Sequence, residues 1–217
     1  MHSHIFERQR QKIMQSYGKL PLMFYANHGQ VDDQIKFYCK GNGFRYAFCA
    51  TKVVFTLFGS SDDQSMHSTN QANEKHQETI KGSTVNWTFL QPSDQIKVEG
   101  KTKTAGTGNF FLSNDPKQWQ TKVPIYKDII YRNVWQGIDC VWKDEKGDVK
   151  YDMIVHPHGS IGDIQILCEG VESVEQIEDG SLRFHTPNGT FHKCKPIVYQ
   201  IINGVRKSVV LLSIYIN

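Results

Sequence analysis

Residues 109–157 read NFFLSNDPKQWQTKVPIYKDIIYRNVWQGIDCVWKDEKGDVKYDMIVHP and carry the clearest fold signal in the chain. Two runs within this stretch, 138–142 and 149–155, each alternate between apolar residues on one face and other residues on the opposite face. A short loop that contains Gly147 separates them. Two runs of period two around a short glycine-containing loop are typical of an antiparallel hairpin.

The same alternation recurs along most of the remaining chain. Polar residues 101–108, rich in Gly and Thr, are expected to form a loop. The dipeptides Asp179-Gly180, Asn188-Gly189 and Asn203-Gly204, which separate apolar runs, are strong hairpin signals. The sequence therefore predicts an all-β fold, an antiparallel β-sandwich built from successive hairpins. Further strands are expected at 35–39, 44–48, 53–57, 85–89, 97–100 and 164–168.

Two segments differ from this pattern and set the expected domain organisation. Residues 1–20 have helical spacing at best, so a short N-terminal helix is expected there. Residues 21–217 are expected to form a single all-β domain. Within this domain, the segment from about residue 60 to residue 81 is polar and is expected to form a mobile loop.

Composition excludes several classes of protein. The chain has 217 residues, of which 39% are hydrophobic, which is too many for wholesale disorder. The net charge of +3 is spread out without a basic stripe, so we expect no nucleic-acid partner. No stretch approaches the ~20 apolar residues of a membrane span. The start of the sequence, MHSHIFERQRQKIMQ, lacks the apolar core of a signal peptide. Cytoplasmic synthesis without export is therefore one expectation for this chain. A fragment of a longer protein would have the same kind of start.

Several motifs, in this order, resemble one family: the N-terminal domain of bacterial secreted and cell-surface proteins that carry seven-bladed β-propeller (SBBP) repeats. The resemblance implies an all-β module of unassigned activity on an exported, cell-surface protein. The propeller repeats and the export signal are absent from this sequence, so the match supports the fold more than the localisation. The matching motifs are Pro21-Leu22, Gly41-Asn42-Gly43-Phe44, Asn109-Phe110-Phe111, Asn114-Asp115-Pro116, Trp119, Val123-Pro124, Asn133-Val134, Gly137-Ile138-Asp139, Tyr151-Asp152, Tyr199-Gln200 and Asn203-Gly204.

The last apolar run, Val209 to Ile216, is expected to leave an open strand edge. It is apolar on both faces, and the family domain continues where this chain stops. An open edge beside apolar surface can pair with a strand of a protein partner or of a second copy. The alternative is an internal edge covered by the N-terminal helix in a monomer.

Candidates for chemistry are few. Asp128, Asp139 and Asp152 are the best acid–base residues, and a glycoside hydrolase-like enzyme using Asp139 and Asp152 is the least favoured function. The sequence offers two weak pairs of possible zinc ligands, His156 with His158 and His185 with His192. Zinc needs three or four ligands in a fixed geometry, so no metal and no cofactor are expected. No nucleophile elbow and no phosphate-binding loop occur.

The five cysteines are odd in number and form no CxxC pair. Their positions in or beside apolar strands favour buried free thiols, with a disulfide or metal set as the alternative. The residues expected in the core by strand phase are Trp142, Tyr151, Met153, Phe184 and Tyr199.

Carbohydrate binding is the main alternative function. Sugars stack on exposed aromatic faces, and Trp119 and Trp135 lie beside turns and off the strict alternation, so these two are the candidate binding residues. The favoured function is a non-enzymatic module with a structural or protein-interaction role at a bacterial surface.

Overall fold

A computed structural model describes residues 21–58, 82–112 and 114–209. The expected N-terminal helix within 1–20, the expected mobile loop at about 60–81, and the last apolar run beyond Val209 lie outside the described residues.

The described chain is all-β, and its strands pair antiparallel, as predicted. Its other regular elements are two short 3-10 turns, Pro116–Gln118 and Ile161–Asp163. The strands are β1 (Phe24–Ala26), β2 (Ile35–Gly41), β3 (Phe44–Cys49), β4 (Lys52–Phe58), β5 (Gly82–Phe89), β6 (Lys97–Gly100), β7 (Lys103–Phe110), β8 (Gln120–Tyr126), β9 (Asp128–Trp135), β10 (Ile138–Glu145), β11 (Asp148–Val155), β12 (Ile166–Glu169), β13 (Ser173–Gln176), β14 (Leu182–Thr186), β15 (Gly189–Lys193), β16 (Val198–Ile202) and β17 (Val205–Val209).

Four sheets result. The largest has eight strands in the order β12-β5-β4-β3-β2-β1-β8-β7. A second sheet has the order β11-β10-β9-β6, a third has the order β13-β14-β15, and β16 pairs only with β17 among the described strands. Most spatial neighbours are also neighbours in sequence, which is why local hairpin signals were informative here.

The turn chemistry of two hairpins is confirmed. In β10–β11 the turn residues Lys146 and Gly147 have φ of 59° and 90°, and in β16–β17 Asn203 and Gly204 have φ of 52° and 76°. Positive φ at both central residues is the backbone of a type I′ turn, whose twist matches that of the flanking strands.

Aromatic residues of the two largest sheets meet in one hydrophobic core. The Trp142 ring of β10 lies 5.4 Å from that of Phe48 on β3 and 6.0 Å from that of Trp87 on β5. Tyr131 of β9 is fully buried, and its hydroxyl donates a 2.8 Å hydrogen bond to the carbonyl oxygen of Cys49, so that its polar atom is satisfied inside the core.

The core prediction is confirmed for Trp142 and Phe184 and wrong for two other residues. Tyr151 is 37% exposed and Tyr199 is 41% exposed, while Met153 is half-buried. Tyr151 lies on β11, an edge strand, and Tyr199 lies on the two-stranded β16–β17 sheet. Alternation identifies which residues share a face, but only the neighbouring layers decide whether that face is covered.

The predicted loop at 101–108 is wrong, because most of it belongs to β7. This strand has no apolar alternation, and it is held by backbone pairing with β8 and by the contact of Phe110 with Tyr25, whose ring centroids are 5.9 Å apart. Backbone pairing with a neighbouring strand leaves little trace in side-chain pattern.

Candidate functional site

Trp119 lies at the end of a tight turn on the surface. The Asp115 side chain accepts a 3.0 Å hydrogen bond from the Lys117 backbone N–H and caps the 3-10 turn that precedes Trp119. Trp119 is 39% exposed, and its ring meets that of Phe111 edge-on at 4.9 Å. Phe111 is more exposed still, so the rings of Trp119 and Phe111 together form an apolar surface, the Trp119 patch.

Trp135 is buried, contrary to the expectation of an exposed ring. It is only 3% exposed, packs against Phe89 at 5.6 Å, and its indole N–H donates a 2.8 Å hydrogen bond to the carbonyl oxygen of Leu90. The segment that follows β5 supplies this acceptor and covers the ring. A sugar therefore has no open Trp135 face to stack on.

A polar depression of about 590 Å³ lies next to Trp135. One wall contains Asn133, which has φ of 53° and whose backbone N–H donates a 2.7 Å hydrogen bond to Asp139 Oδ1. The Asn133 side chain donates to Ser93 Oγ at 3.0 Å and accepts from the Gly137 N–H at 3.1 Å. These bonds hold the β9–β10 turn in place, which is a structural role for the Asn133 side chain.

The two candidate catalytic carboxylates are each paired with cationic side chains. Asp139 is nearly buried, and its Oδ2 lies 3.1 Å from His156 Nε2 and 3.6 Å from Arg132 Nη1. Asp152 forms an ion pair with Lys143. Both lie on the same side of the β10–β11 hairpin, two residues apart in register. Their contacts assign them to ion pairs and to the support of the β9–β10 turn.

Asp128, the third carboxylate singled out, begins β9. One of its oxygens, Oδ1, is buried and has no hydrogen-bond partner among the described residues. Lys143 of β10 lies directly opposite Asp128 in register, and that lysine is paired with Asp152.

The histidine pairs are not brought together as ligands. His156 faces Asp139, whereas His158 lies in the following turn with φ of 73°. Across β14–β15, His185 is opposite Thr190 and His192 is opposite Arg183, so the two imidazoles are offset rather than facing. In residues 21–58, 82–112 and 114–209, no three His, Cys, Asp or Glu side chains form a group that could hold a metal ion.

Three of the five cysteines are buried in strands, as expected of small hydrophobic residues. These are Cys39, Cys49 and Cys140, while Cys168 is half-buried and Cys194 is exposed. Burial raises the pKa of Cys39 to about 12 and also raises that of Cys140. The thiolate is the nucleophilic form, so neither buried thiol is activated near neutral pH.

Two features were not singled out from the sequence. The Lys193 Nζ atom lies 4.4 Å from the centroid of the Trp87 ring, and alternation with Phe191 could have placed it on the apolar face of β15. The other feature is the exposed β16–β17 hairpin, whose apolar residues looked like those of a core strand. Its large exposed side chains, with that of the residue preceding β16, are Ile197, Tyr199, Ile201, Ile202, Val205 and Val209.

Comparisons with known proteins add a family assignment. Searches of curated proteins and of solved structures found no match. No helix in the described part of the chain has the length and apolar content to cross a bilayer. A family model described as a domain of unknown function, DUF7948, matches residues 24–211. This match spans most of the chain and the strands from β1 to β17, and the protein therefore belongs to the DUF7948 family.

Proposed function

We propose that this domain is a non-enzymatic β-sandwich module with a structural or protein-interaction role at a bacterial surface. The core shared by the two largest sheets supports a sandwich in which these sheets face one another. The resemblance to the N-terminal domain of SBBP-repeat proteins supports the surface location and a neighbouring propeller.

The observation that carries the interaction role is the exposed β16–β17 hairpin. A two-stranded hairpin is marginally stable alone in water, and a third strand or a packed face normally stabilises it. Here Ile201 is 69% exposed, and β17 has no second neighbour among the described strands. An edge with unpaired backbone groups beside exposed aliphatic side chains is suited to receive a further strand.

We further propose that the strand added at β17 comes from a second copy of the chain. Edge strand β17 carries Arg206 and Lys207, so pairing two copies of β17 would bring like charges together. Edge strand β13 is flanked by exposed acidic residues, among them Glu172 and Glu178. Charge complementarity therefore favours β17 of one copy against β13 of the next. Such head-to-tail contacts give closed rings when the rotation between copies closes and open filaments when it does not.

Reversing the charge of β17 tests this proposal. We expect the native chain to self-associate with rising concentration in light scattering, and the double variant Arg206→Glu/Lys207→Glu to weaken association at least about tenfold, by replacing attraction with repulsion. Association of the native chain should also weaken as salt rises.

The matched control is Lys117→Glu/Lys127→Glu, which changes the net charge equally at exposed positions outside β13 and β17. The double variant Glu172→Lys/Glu178→Lys should likewise lose self-association and should bind the β17 variant when the two are mixed. A chain that stays monomeric at every concentration, or association that survives both charge reversals, would contradict the proposal.

Carbohydrate binding is the second candidate function, and the Trp119 patch favours it. An exposed indole beside Phe111 offers apolar ring faces on which a pyranose can stack. Titration with chitohexaose and cellohexaose, followed by tryptophan fluorescence, should detect binding, and Trp119→Ala should weaken it about five- to tenfold. Trp135→Phe, which alters only a buried ring, should leave affinity unchanged. If neither oligosaccharide binds the native chain, this candidate fails.

A further inference from the structure

The polar depression beside Trp135 is built by three separate segments of the chain. These are residues 90–95 after β5, residues 133–136 at the β9–β10 turn, and the pair Asp163 and Gln165 before β12. Its volume of about 590 Å³ falls within the range of about 300–1,000 Å³ that is usual for ligand sites. The depression is therefore large enough to hold an organic ligand.

Hydrogen bonds tie the three segments together. The Leu90 N–H donates to the Gln165 carbonyl oxygen at 2.9 Å, and the Ser93 N–H donates to the Val134 carbonyl oxygen at 2.8 Å. The indole N–H of Trp135 donates to the Leu90 carbonyl oxygen at 2.8 Å. The walls of the depression are thus already positioned, which reduces the entropy that a ligand must overcome on binding.

Most polar side chains of the lining are free to bind a ligand. Asn133 and Ser93 already bond to each other at 3.0 Å. Six exposed amide and carboxyl side chains, by contrast, make no hydrogen bond and no ion pair with the described residues. These are Gln91, Asp94, Gln95, Gln136, Asp163 and Gln165. An amide offers donors and acceptors together, whereas a carboxylate offers acceptors. The lining therefore suits a ligand with many polar groups.

The backbone of Gln91 gives an independent indication of a binding role. Its φ is 48°, in the left-handed region that a residue with a long side chain rarely adopts. Gln91 follows β5 and lies outside the β-hairpin turns, where such a φ is usual. Strained backbone of this kind clusters at ligand sites, where the surrounding structure holds it in place.

The charge of the lining narrows the class of ligand. Asp94 and Asp163 are both in the lining, and no lysine, arginine or histidine lies among the described residues that form it. Carboxylates without a cationic partner repel anions and attract ammonium groups. The glutamine amides match hydroxyl groups, which also donate and accept. A ligand that fits both features carries hydroxyl and ammonium groups on one frame.

We propose that this depression binds amino sugars. Asp94 and Asp163 accept hydrogen bonds from the ammonium groups, and the glutamine side chains bond to the hydroxyl groups. Binding here uses hydrogen bonds and charge rather than ring stacking, since Trp135 is buried. The site is therefore separate from the Trp119 patch, and it depends neither on sugar binding there nor on self-association through β17.

Isothermal titration calorimetry of the full chain at pH 6 tests the proposal with three probes. Glucosamine hexaose carries hydroxyl and ammonium groups, cellohexaose has a hydroxyl group in place of each ammonium group, and spermine has ammonium groups alone. We expect glucosamine hexaose to bind at least about fivefold more tightly than either of the others, because only it satisfies both kinds of side chain. Its affinity should fall as salt rises.

Two double variants separate the two kinds of contact. Asp94→Asn/Asp163→Asn keeps the size of both side chains, so the affinity for glucosamine hexaose should fall about five- to tenfold while that for cellohexaose changes little. Gln95→Ala/Gln136→Ala should weaken glucosamine hexaose binding about threefold or more and leave spermine binding unchanged.

The matched control is Asp33→Asn/Asp148→Asn, which removes the same charge at exposed positions outside the lining and should leave the affinity for glucosamine hexaose unchanged. Trp119→Ala should also leave it unchanged, which distinguishes this site from the Trp119 patch. The proposal is overturned if glucosamine hexaose does not bind, if spermine binds as tightly, or if either control weakens binding as much as Asp94→Asn/Asp163→Asn does.

Discussion

Replacing Trp142 with alanine is expected to lower the free energy of unfolding by about 3–5 kcal/mol. The side chain is almost wholly buried, and its ring lies 5.4 Å from Phe48, 6.0 Å from Trp87 and 4.9 Å from Tyr151. The Trp142 ring therefore packs β10 against the eight-stranded sheet. Its loss removes a large apolar surface and leaves a cavity that rigid neighbouring strands cannot fill.

Urea denaturation followed by circular dichroism measures this cost. The control is Trp119→Ala, which deletes the same side chain from an exposed position and should cost less than about 1 kcal/mol. Trp142→Phe should fall between the two, since it keeps a ring in the cluster. Equal losses for Trp142→Ala and Trp119→Ala would show that Trp142 does not join the two sheets.

Replacing Gly170 with alanine is expected to lower the free energy of unfolding by about 2–5 kcal/mol, the sum of backbone strain and overpacking. Gly170 follows β12 and has φ of 87°, a conformation that favours glycine. A Cβ atom there would lie 2.1 Å from the carbonyl oxygen of Thr84. That oxygen belongs to the backbone of β5, so relief requires a shift of the central strands.

Gly43 supplies a matched control, because the two effects separate there. Its φ is 74°, but no heavy atom lies within 4 Å of an added Cβ. Gly43→Ala should therefore show only the strain of a positive φ, about 1 kcal/mol. Thermal and urea unfolding of both variants give the comparison. If Gly170→Ala costs no more than Gly43→Ala, the close approach to Thr84 is absent in solution.

The strands that sequence alone located are those with strong local signals. The β10–β11 hairpin follows from alternating runs on either side of a turn whose residues accept positive φ. The sequence also predicts the Asn203-Gly204 turn, although the strand that follows this turn, Val205–Val209, precedes the apolar run expected at 209–216. Strand β7, by contrast, carries little apolar pattern and is held by backbone pairing with β8. Backbone pairing of this kind makes little demand on the side-chain pattern, so a search for apolar alternation does not reveal it.

The candidate binding residues Trp119 and Trp135 also show the difference between what local sequence pattern reveals and what the tertiary structure decides. Trp119 and Trp135 look alike in sequence, since each lies beside a turn and off the strict alternation. In the structure, Trp119 stays on the surface, whereas the segment after β5 covers Trp135 and accepts the hydrogen bond of its indole. The residue that accepts this bond, Leu90, is 45 positions away in sequence. Local pattern therefore cannot distinguish a binding platform from a core ring.

Sequence by itself determined the all-β class and most of the hairpins, because both depend on turn chemistry and on a period of two within short stretches. Tertiary structure alone decided which faces are covered. The apolar residues of β16–β17 look like a core strand but lie exposed on a two-stranded sheet, and Lys193 lies against the rings of Trp87 and Tyr151. Burial depends on how layers far apart in the chain come together, and that arrangement sets both the open edge and the environment of the amine.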